Sequence, residues 1–283
     1  MIFDMHQHYD YGGDIDAYAR GLRKMKIRVA LSAGGVEFGQ MGNTGVHDAL
    51  KKHPDVIVGF YFVDFTKETP ATIRKAHQAG FRGLKFIFPP KNYDDRSYYP
   101  IYKTAVELKM PCLFHTGTVA RMDWVVEHFY LKFPEVKRAF EKTDYAAMDV
   151  DCTRMDPYRC DTIARAFPSL TVIMAHYGAG ICGHHSQAIM QLNPNVYGDI
   201  TVMAGNFTPK AVARAKDHFA PLINEYVVEK LVFGTDNVVS IGAQHMKKSI
   251  RSVTGVLRAL KVKQSQIDQI MGRRMNALMG FDD

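Results

Sequence analysis

The chain of 283 residues has 47% hydrophobic residues and a formal net charge of +7, enough apolar content for one large domain or two small ones. No apolar run approaches the roughly 18 residues of a membrane span. Lysines and arginines are scattered rather than gathered in tracts, which argues against a nucleic-acid partner and fits a small anionic substrate. The four cysteines form no Cys-x-x-Cys motif, so we expect reduced thiols in a cytoplasmic protein without a signal peptide.

The first eight residues predict a short buried strand that ends in two histidines. The run from Ile2 to His8 is apolar at its start and polar at its end, with no helix signal before Asp14. Because residues two apart on a strand point to the same face, His6 and His8 would project together and could hold one metal ion. The pair alone is weak evidence, because so short a motif often arises by chance.

After this strand, helical segments and apolar strands alternate along the chain. Asp14 is a good N-cap for the first helix, and the glycine-rich loop at 33–45 lacks both nucleotide-binding fingerprints. A later helix is predicted over 181–192. The alternation pauses at 118–157, a charged and aromatic insertion that we predict to be a lid or specificity element. The predicted strands after the first are residues 27–32, 56–63, 83–88, 111–115, 170–176, 196–200 and 231–236.

Eight short apolar strands that alternate with helices predict parallel strands joined by crossover helices. Eight repeats in under 300 residues favour an α/β fold of the (β/α)8 TIM-barrel type, as a single domain over residues 1–283. In this interpretation the segment 118–157 is a long insertion after the fifth strand. A doubly wound open sheet is the alternative.

Side chains suited to chemistry stand at the carboxyl ends of five of these strands. In a barrel these ends meet at one rim, where barrel enzymes place their active sites. Imidazoles and a carboxylate suit Zn²⁺ or a similar divalent ion. Such an ion lowers the pKa of a bound water to about 7, and a rim carboxylate or imidazole can take the proton. The set is His6, His8, Lys85, His115, His176 and Asp236.

Six stretches of the sequence resemble a known family. They are Phe3-Asp4-Met5-His6-Gln7-His8, Gly80-Phe81-Arg82-Gly83-Leu84-Lys85, Leu113-Phe114-His115-Thr116-Gly117, Ala175-His176-Tyr177-Gly178, Asn195-Val196-Tyr197-Gly198-Asp199 and Phe233-Gly234-Thr235-Asp236. In this order they resemble the amidohydrolase superfamily, in its amidohydrolase-2 branch related to aminocarboxymuconate-semialdehyde decarboxylase. The run Gly272-Arg273-Arg274-Met275-Asn276-Ala277 departs from the more usual Gly-Asn-Ala, which we expect to affect the closing helix rather than the chemistry.

The resemblance implies a metallo-dependent TIM barrel with one metal held by His6, His8, His115 and Asp236. His176 would stand beside the metal site as an acid/base or electrostatic partner. The branch contains both hydrolases and non-oxidative decarboxylases, so the fold alone does not give the reaction.

Three cations are candidate contacts for the substrate. A lysine inside an apolar strand is costly unless paired, so Lys85 is expected to meet a substrate carboxylate. A carboxylated lysine between two metals and a lysine whose end reaches solvent are the alternatives. Arg121 and Arg154, within the predicted insertion, are candidate carboxylate clamps or solvated loop residues.

Together these features predict a metal-dependent hydrolase in which metal-activated water attacks an ester, lactone or amide of a small carboxylate-bearing substrate. Asp236 and His176 would move protons. Zn²⁺ is the expected metal, with Mn²⁺ as the alternative. A non-oxidative decarboxylase of an unsaturated or aromatic carboxylic acid is the second interpretation, and a non-catalytic metal-binding barrel is the third. A homo-oligomer is compatible with all three.

Overall fold

The computed structural model describes residues 1–148, 150–179, 182–205 and 208–281, and within them the strands form one curved parallel sheet. Neighbouring strands follow one another in chain order, and helices connect them on the outside. The strands are β1 (Ile2–His8), β2 (Ile27–Ser32), β3 (Ile57–Phe62), β4 (Gly83–Phe86), β5 (Cys112–Phe114), β6 (Val172–Met174), β7 (Val196–Asp199), β8 (Leu231–Val232) and β9 (Asn237–Val238).

Fourteen α-helices lie within the described ranges, several of them only one turn long. They are α1 (Ile15–Met25), α2 (Gly42–Lys52), α3 (Pro70–Gln78), α4 (Tyr99–Glu107), α5 (Met122–Phe129), α6 (Pro134–Phe140), α7 (Pro157–Ala166), α8 (Cys182–Leu192), α9 (Thr201–Ala204), α10 (Pro209–Phe219), α11 (Glu225–Val228), α12 (His245–Ala259), α13 (Gln264–Asp268) and α14 (Arg274–Leu278).

The starts of the helices follow their sequence signals. The side chain of Asp14 caps α1 by accepting a hydrogen bond from Ala17 N at 2.9 Å, as predicted. Helix α8 begins at Cys182, and residue 181, where the predicted helix begins, lies outside the described residues.

None of the helices in the described ranges combines the length and apolar character needed to cross a membrane.

The last strand of the barrel is split into β8 and β9 by residues 233–236. β8 pairs with β7 and β9 pairs with β1, so the two parts reach both edges of the sheet. Between them, Met5 N donates to Phe233 O at 2.9 Å and Asp236 N donates to His6 O at 2.7 Å. These bonds close the sheet on itself. The predicted TIM barrel is therefore confirmed, and the doubly wound sheet is excluded.

Two apolar layers hold the strands in place. The inside of the barrel is filled by side chains such as Phe3, Met5, Phe60, Leu113 and Ile173. A larger layer lies between the sheet and the helices. Full burial of one such side chain contributes about 1.5–3 kcal/mol. The carboxyl ends of the strands therefore rest on a rigid core.

The amino end of the barrel is covered by the last helices. A π-helical turn at Gln269–Arg273 passes so close to β1 that a Cβ on Gly272 would lie 2.4 Å from Met1 O. In α14, Asn276 Nδ2 donates to Met1 O at 2.9 Å and Asn276 Oδ1 accepts from Arg28 Nη1 at 2.7 Å. The C-terminal run thus seals the end of the barrel opposite the predicted site.

The segment 118–157 folds into α5, α6 and a 3₁₀ turn, apart from residue 149, which lies outside the described part of the chain. It rests against the loops that follow β1 and β2. Tyr130 Oη donates to Asp10 Oδ2 at 3.2 Å, and Tyr145 Oη donates to Glu37 O. Its roles as an insertion and as a lid or specificity element stay predictions.

Candidate metal centre

Three side chains from opposite ends of the chain meet at the carboxyl end of the barrel. The Nε2 atoms of His6 and His8 lie 3.3 Å apart, and Asp236 Oδ1 lies 3.2 Å from the first and 2.9 Å from the second. A register shift in β1 between Asp4 and Gln7 adds one residue just before the pair, and such bulges often re-aim side chains beside active sites. The structure thus brings together three of the residues that the sequence predicts as metal ligands.

A carboxylate that the sequence did not single out holds the His6 ring. Asp199, at the end of β7, accepts hydrogen bonds from His6 Nδ1 at 2.7 Å, His176 N at 2.9 Å and Thr201 N at 3.1 Å. Burial alone would raise the pKa of Asp199, but His6, His176 and Thr201 hold it below its usual value. Since Nδ1 of His6 carries the proton, its Nε2 carries the lone pair and lies close to His8 Nε2, Asp236 Oδ1 and Lys85 Nζ.

A second buried carboxylate joins β1 to the segment that carries Asp236. Asp4 accepts hydrogen bonds from Thr235 N at 3.1 Å, Thr235 Oγ1 at 2.6 Å and Gln7 Nε2 at 2.7 Å. Burial raises the pKa of Asp4 to about 7, and the hydrogen bonds from Thr235 and Gln7 oppose that rise. Asp4 therefore helps to fix the distance between the two histidines and Asp236.

His176 stands between His115 and the ring of His6. Its ring centroid lies 5.2 Å from that of His6 and 4.6 Å from that of His115. His115 Nε2 donates to Thr118 O at 3.1 Å, so His115 Nδ1 can accept from His176 Nε2, also at 3.1 Å. Burial, with His176 and Lys85 nearby, lowers the pKa of His115 well below its usual value. His115 is thus one ring away from the converging atoms, and its role as a fourth ligand stays a prediction.

Two of the predicted site residues have a left-handed backbone. The φ angle is 61° at His176 and 54° at Asp236. Such conformations cost about 1–3 kcal/mol in non-glycine residues and concentrate at functional sites. Here each backbone N–H is hydrogen-bonded: His176 N donates to Asp199 Oδ1, and Asp236 N donates to His6 O.

Lys85 points into the barrel from β4. Its Nζ lies 2.8 Å from His6 Nε2, and only 1% of the residue is exposed. This burial excludes the alternative in which the end of the lysine reaches solvent. Burial also lowers the pKa of Lys85 to about 8, against the opposing effect of Asp236 and Asp199.

Two cavities open onto these residues. The reaction cavity, of about 250 Å³, has His8 and Lys85 on its wall, and the second cavity, of about 340 Å³, has His176. Asp236 and His115 line both. Burial would raise the pKa of Asp236, but His6 and His8 hold it well below its usual value, so the carboxylate is ionised. Apolar residues dominate the reaction cavity, among them Phe38, Phe62, Ile87, Phe88, Val125 and Tyr130.

The two arginines predicted to clamp a substrate carboxylate lie outside these two cavities. Arg121 is 83% exposed and pairs with Asp123. Arg154 Nε lies 3.7 Å from Asp151 Oδ2, with 19% of its side chain exposed. The structure therefore does not bring either arginine beside Lys85, and their role in substrate binding stays a prediction.

The sequence held signals for both carboxylates that our interpretation missed. Asp199 is the last residue but one of the predicted strand 196–200, close to the carboxyl end where His115 and His176 stand in their strands, and that position was the signal. Asp4 lies within an apolar strand two residues before His6, where a buried carboxylate is costly unless it is hydrogen-bonded. Both residues belong to stretches that carried the family resemblance.

Comparison with known proteins agrees with the fold. A family model described as amidohydrolase matches residues 3–251. A sequence search of curated proteins finds no match.

Several solved structures cover almost the whole chain. A probable 2-pyrone-4,6-dicarboxylic acid hydrolase from Acinetobacter baumannii, with citric acid bound, has a TM-score of 0.62 at 12% identity and covers 99% of both chains. A 2,6-dihydroxybenzoate decarboxylase from Rhizobium has a TM-score of 0.59 at 13% identity, over 99% of this chain and 98% of that one. A 5-carboxyvanillate decarboxylase from Novosphingobium aromaticivorans, with manganese bound, has a TM-score of 0.58 at 13% identity, over 99% and 97%. Identities this low show a shared fold and leave the reaction open.

Proposed function

This chain is a member of the amidohydrolase family, and we propose that it is a metal-dependent hydrolase of a small carboxylate-bearing substrate. The observation that carries the proposal is the convergence of His6 Nε2, His8 Nε2 and Asp236 Oδ1 within 3.3 Å of one another. The proposed ligands are these three residues, with His115 as the predicted fourth.

The geometry of the donor atoms fits a first-row divalent cation. Ligand atoms at 2.0–2.2 Å from a tetrahedral Zn²⁺ are separated by roughly 3.4 Å, close to the distances found between these three atoms. Two imidazole nitrogens and a carboxylate oxygen this close together form an arrangement that a shared cation would stabilise. Asp199 holds the Nδ1 proton of His6, which is the usual support for a histidine that binds metal through Nε2. Two imidazoles and a carboxylate suit Zn²⁺ and Mn²⁺ alike, and one structure of the same fold has manganese bound.

The residues of the chain divide the chemistry between them. A divalent cation bound here would supply Lewis acidity, which polarises a substrate oxygen and lowers the pKa of water. Asp236 is ionised, and its side chain is 36% exposed to the cavities. It would accept a proton as a water oxygen attacks the acyl carbon, and would return that proton to the leaving oxygen or nitrogen. His176, next to His115, would stand beside the developing negative charge as an acid/base or electrostatic partner.

A decarboxylase of an aromatic acid is the second candidate, and the shape of the reaction cavity favours it. The rings of Phe38 and Phe88 stack with centroids 5.2 Å apart, and both line the cavity beside Lys85. Such a wall suits a flat ring with one carboxylate. Structures of the same fold include a 2,6-dihydroxybenzoate decarboxylase with 2,6-dihydroxybenzoate bound.

Metal content and reaction products test the two candidates. We expect about one divalent ion per chain after reconstitution with Zn²⁺ or Mn²⁺. The loaded protein would then be incubated with lactones, followed by acid release at constant pH, and with aromatic carboxylic acids, followed by CO2 release. Acid release supports hydrolysis and CO2 release supports decarboxylation. Failure to bind any divalent ion would contradict both.

Replacing Asp199 by asparagine should loosen metal binding without removing a ligand. The amide cannot accept from His6, His176 and Thr201 as a carboxylate does, so the His6 ring loses its fixed orientation. We expect metal affinity to fall about 10–100-fold, the usual effect of losing a partner of a metal-bound histidine. Competition with a coloured chelator measures it. Asp217→Asn, at an exposed position of α10, should leave the affinity unchanged, and equal affinities for Asp199→Asn and wild type would argue against this role.

Replacing Lys85 by methionine should weaken binding of anionic substrates selectively. Methionine keeps much of the length of the side chain but loses the charge, which as a hydrogen-bonded group contributes about 1.5–3 kcal/mol. We expect KM for a carboxylate substrate to rise about 10–100-fold, with little change for the neutral methyl ester of the same compound. Lys91→Met, in the exposed loop after β4, is the control. An equal loss for charged and neutral substrates would mean that Lys85 acts only through His6.

A further inference from the structure

We propose that the substrate carries an apolar extension that runs out of the reaction cavity into a separate cavity formed by residues of the segment 118–157. The identity of the reactive head group rests on the proposed function. The extension rests on the shape and chemistry of a third cavity, the distal cavity, of about 390 Å³.

The reaction cavity and the distal cavity share a wall. Val119, Ala120 and Met122 line both of them. Ala120 also lines the second cavity, beside His176, so it stands where all three spaces meet. Its side chain is a single methyl group, so Ala120 is the smallest of the three side chains that the reaction cavity and the distal cavity share, and in the proposed arrangement the extension passes over it.

The volumes indicate that the reaction cavity holds only part of a substrate. Ligand pockets usually measure roughly 300–1,000 Å³, and the reaction cavity, at about 250 Å³, is below that range. A cavity of about 150 Å³ accepts benzene, so the reaction cavity suits one ring with its carboxylate. A longer molecule would extend beyond this cavity, and in the proposed arrangement it does so past Ala120.

The lining of the distal cavity selects an apolar extension rather than a second charged group. Tyr145, Met148 and Val150 line it together with Met122. Its charged lining residues, among those that the structure describes, are Arg121 and Asp123, which pair with each other. An alkyl or aryl chain would therefore find apolar contacts, and the charges of the described lining residues cancel.

The walls of the distal cavity are tied to the rest of the barrel. Tyr145 Oη donates to Glu37 O, in the turn after β2. The ring of Tyr145 also packs on Phe140 of α6, with centroids 5.1 Å apart. At the other end, Gly117 N donates to Met155 O at 3.2 Å. The distal cavity is thus part of the folded structure. Val150 is 41% exposed, so the far end opens towards solvent and can admit chains of different length.

Binding of two carboxylates to the metal-loaded protein tests the proposal without any need for turnover. Benzoate would probe the reaction cavity alone, and 4-hexylbenzoate would probe both cavities, with Kd measured by calorimetry. Each buried methylene strengthens binding about fourfold. We therefore expect the hexyl chain to tighten binding at least about 50-fold in wild type if three of its carbons are buried.

Ala120→Phe should block the passage at its junction. Because Ala120 also lines the reaction cavity, the effect of the hexyl chain is measured relative to this variant's own affinity for benzoate, and we expect that gain to be less than about fivefold. Ala147→Phe, at an exposed alanine outside the lining of the distal cavity, is the matched control and should keep the full gain.

The outcomes separate this inference from the proposed function. Three results would overturn the extended substrate even if the protein binds one metal and hydrolyses lactones. They are the failure of both carboxylates to bind, a small gain in affinity from the hexyl chain in wild type, and a full gain in affinity in Ala120→Phe. The opposite result is also possible: the hexyl chain tightens binding in every protein except Ala120→Phe, although the protein binds no divalent ion. This result would support the two-cavity site and overturn the metal-dependent hydrolase.

Discussion

Replacing His6 by alanine is expected to empty the metal site and to lower kcat/KM at least about 10³-fold. His6 Nε2 lies within 3.3 Å of both His8 Nε2 and Asp236 Oδ1, so its loss removes one of three converging donors. A catalytic cation contributes several kcal/mol to the stability of a transition state, and each 1.4 kcal/mol corresponds to about tenfold in rate. Elemental analysis and steady-state kinetics on the purified variant measure both effects.

A loss of folding must be told apart from a loss of metal. Without His6, the buried carboxylate of Asp199 loses its 2.7 Å partner, which would also destabilise the barrel. His8→Ala provides the distinction, because the partners of His8 are His6, Asp236 and Ser32 rather than Asp199. We expect both variants to lose the metal but only His6→Ala to show a clearly lower melting temperature in the metal-free state. His184→Ala, at an exposed position of α8, should match wild type, and retention of the ion by both site variants would refute the proposed centre.

Replacing Gly272 by alanine is expected to destabilise the protein by about 3 kcal/mol or more. A Cβ at this position would lie 2.4 Å from Met1 O, 2.7 Å from Phe3 N and 2.8 Å from Ile2 Cα. All three are backbone atoms, so β1 or the closing turn would have to move. Urea unfolding followed by circular dichroism gives the change in free energy.

Gly255→Ala is the matched control for this effect. Gly255 lies within α12, and a Cβ there would meet Val212 at an ordinary 3.8 Å. Because alanine favours helix more than glycine does, we expect Gly255→Ala to stabilise the fold by about 0.5–1 kcal/mol. If Gly272→Ala were as stable as wild type, the close approach to β1 could not be a feature of the folded protein.

The barrel and most of the rim could be predicted from the sequence because both depend on local patterns. Period-two spacing places His6 and His8 on one face, and the order of strands places Asp236 and Lys85 at the same end. The pattern of strands and helices does not predict how far each side chain at the rim extends. The ring of His176 lies 5.2 Å from that of His6 and 4.6 Å from that of His115, a spacing that no local pattern predicts, and the role of His115 as a fourth ligand stays a prediction.

The supporting carboxylates were missed because their partners are distant in sequence. Asp199 meets His6 across 193 positions, and Asp4 meets Thr235 across 231. Neither contact leaves a periodic pattern. The split of the last strand was also hidden, since an apolar run ending in Gly-Thr-Asp looks continuous until the left-handed backbone of Asp236 is seen.

Because the last strand is split, the place where it meets β1 and closes the barrel is also the place of the candidate metal centre. Asp236 N donates to His6 O where the last strand meets β1, and the Asp236 side chain lies close to His6 and His8 of that neighbouring strand. A cation bound at this point would link the first strand of the barrel to the last. Binding of the cation would then raise the free energy of unfolding of the whole barrel. At a concentration 100 times its Kd, the cation would add about 2.7 kcal/mol. Loss of the ion would therefore lower the stability of the fold as well as the activity. The first and last strands would be the place where the barrel separates first.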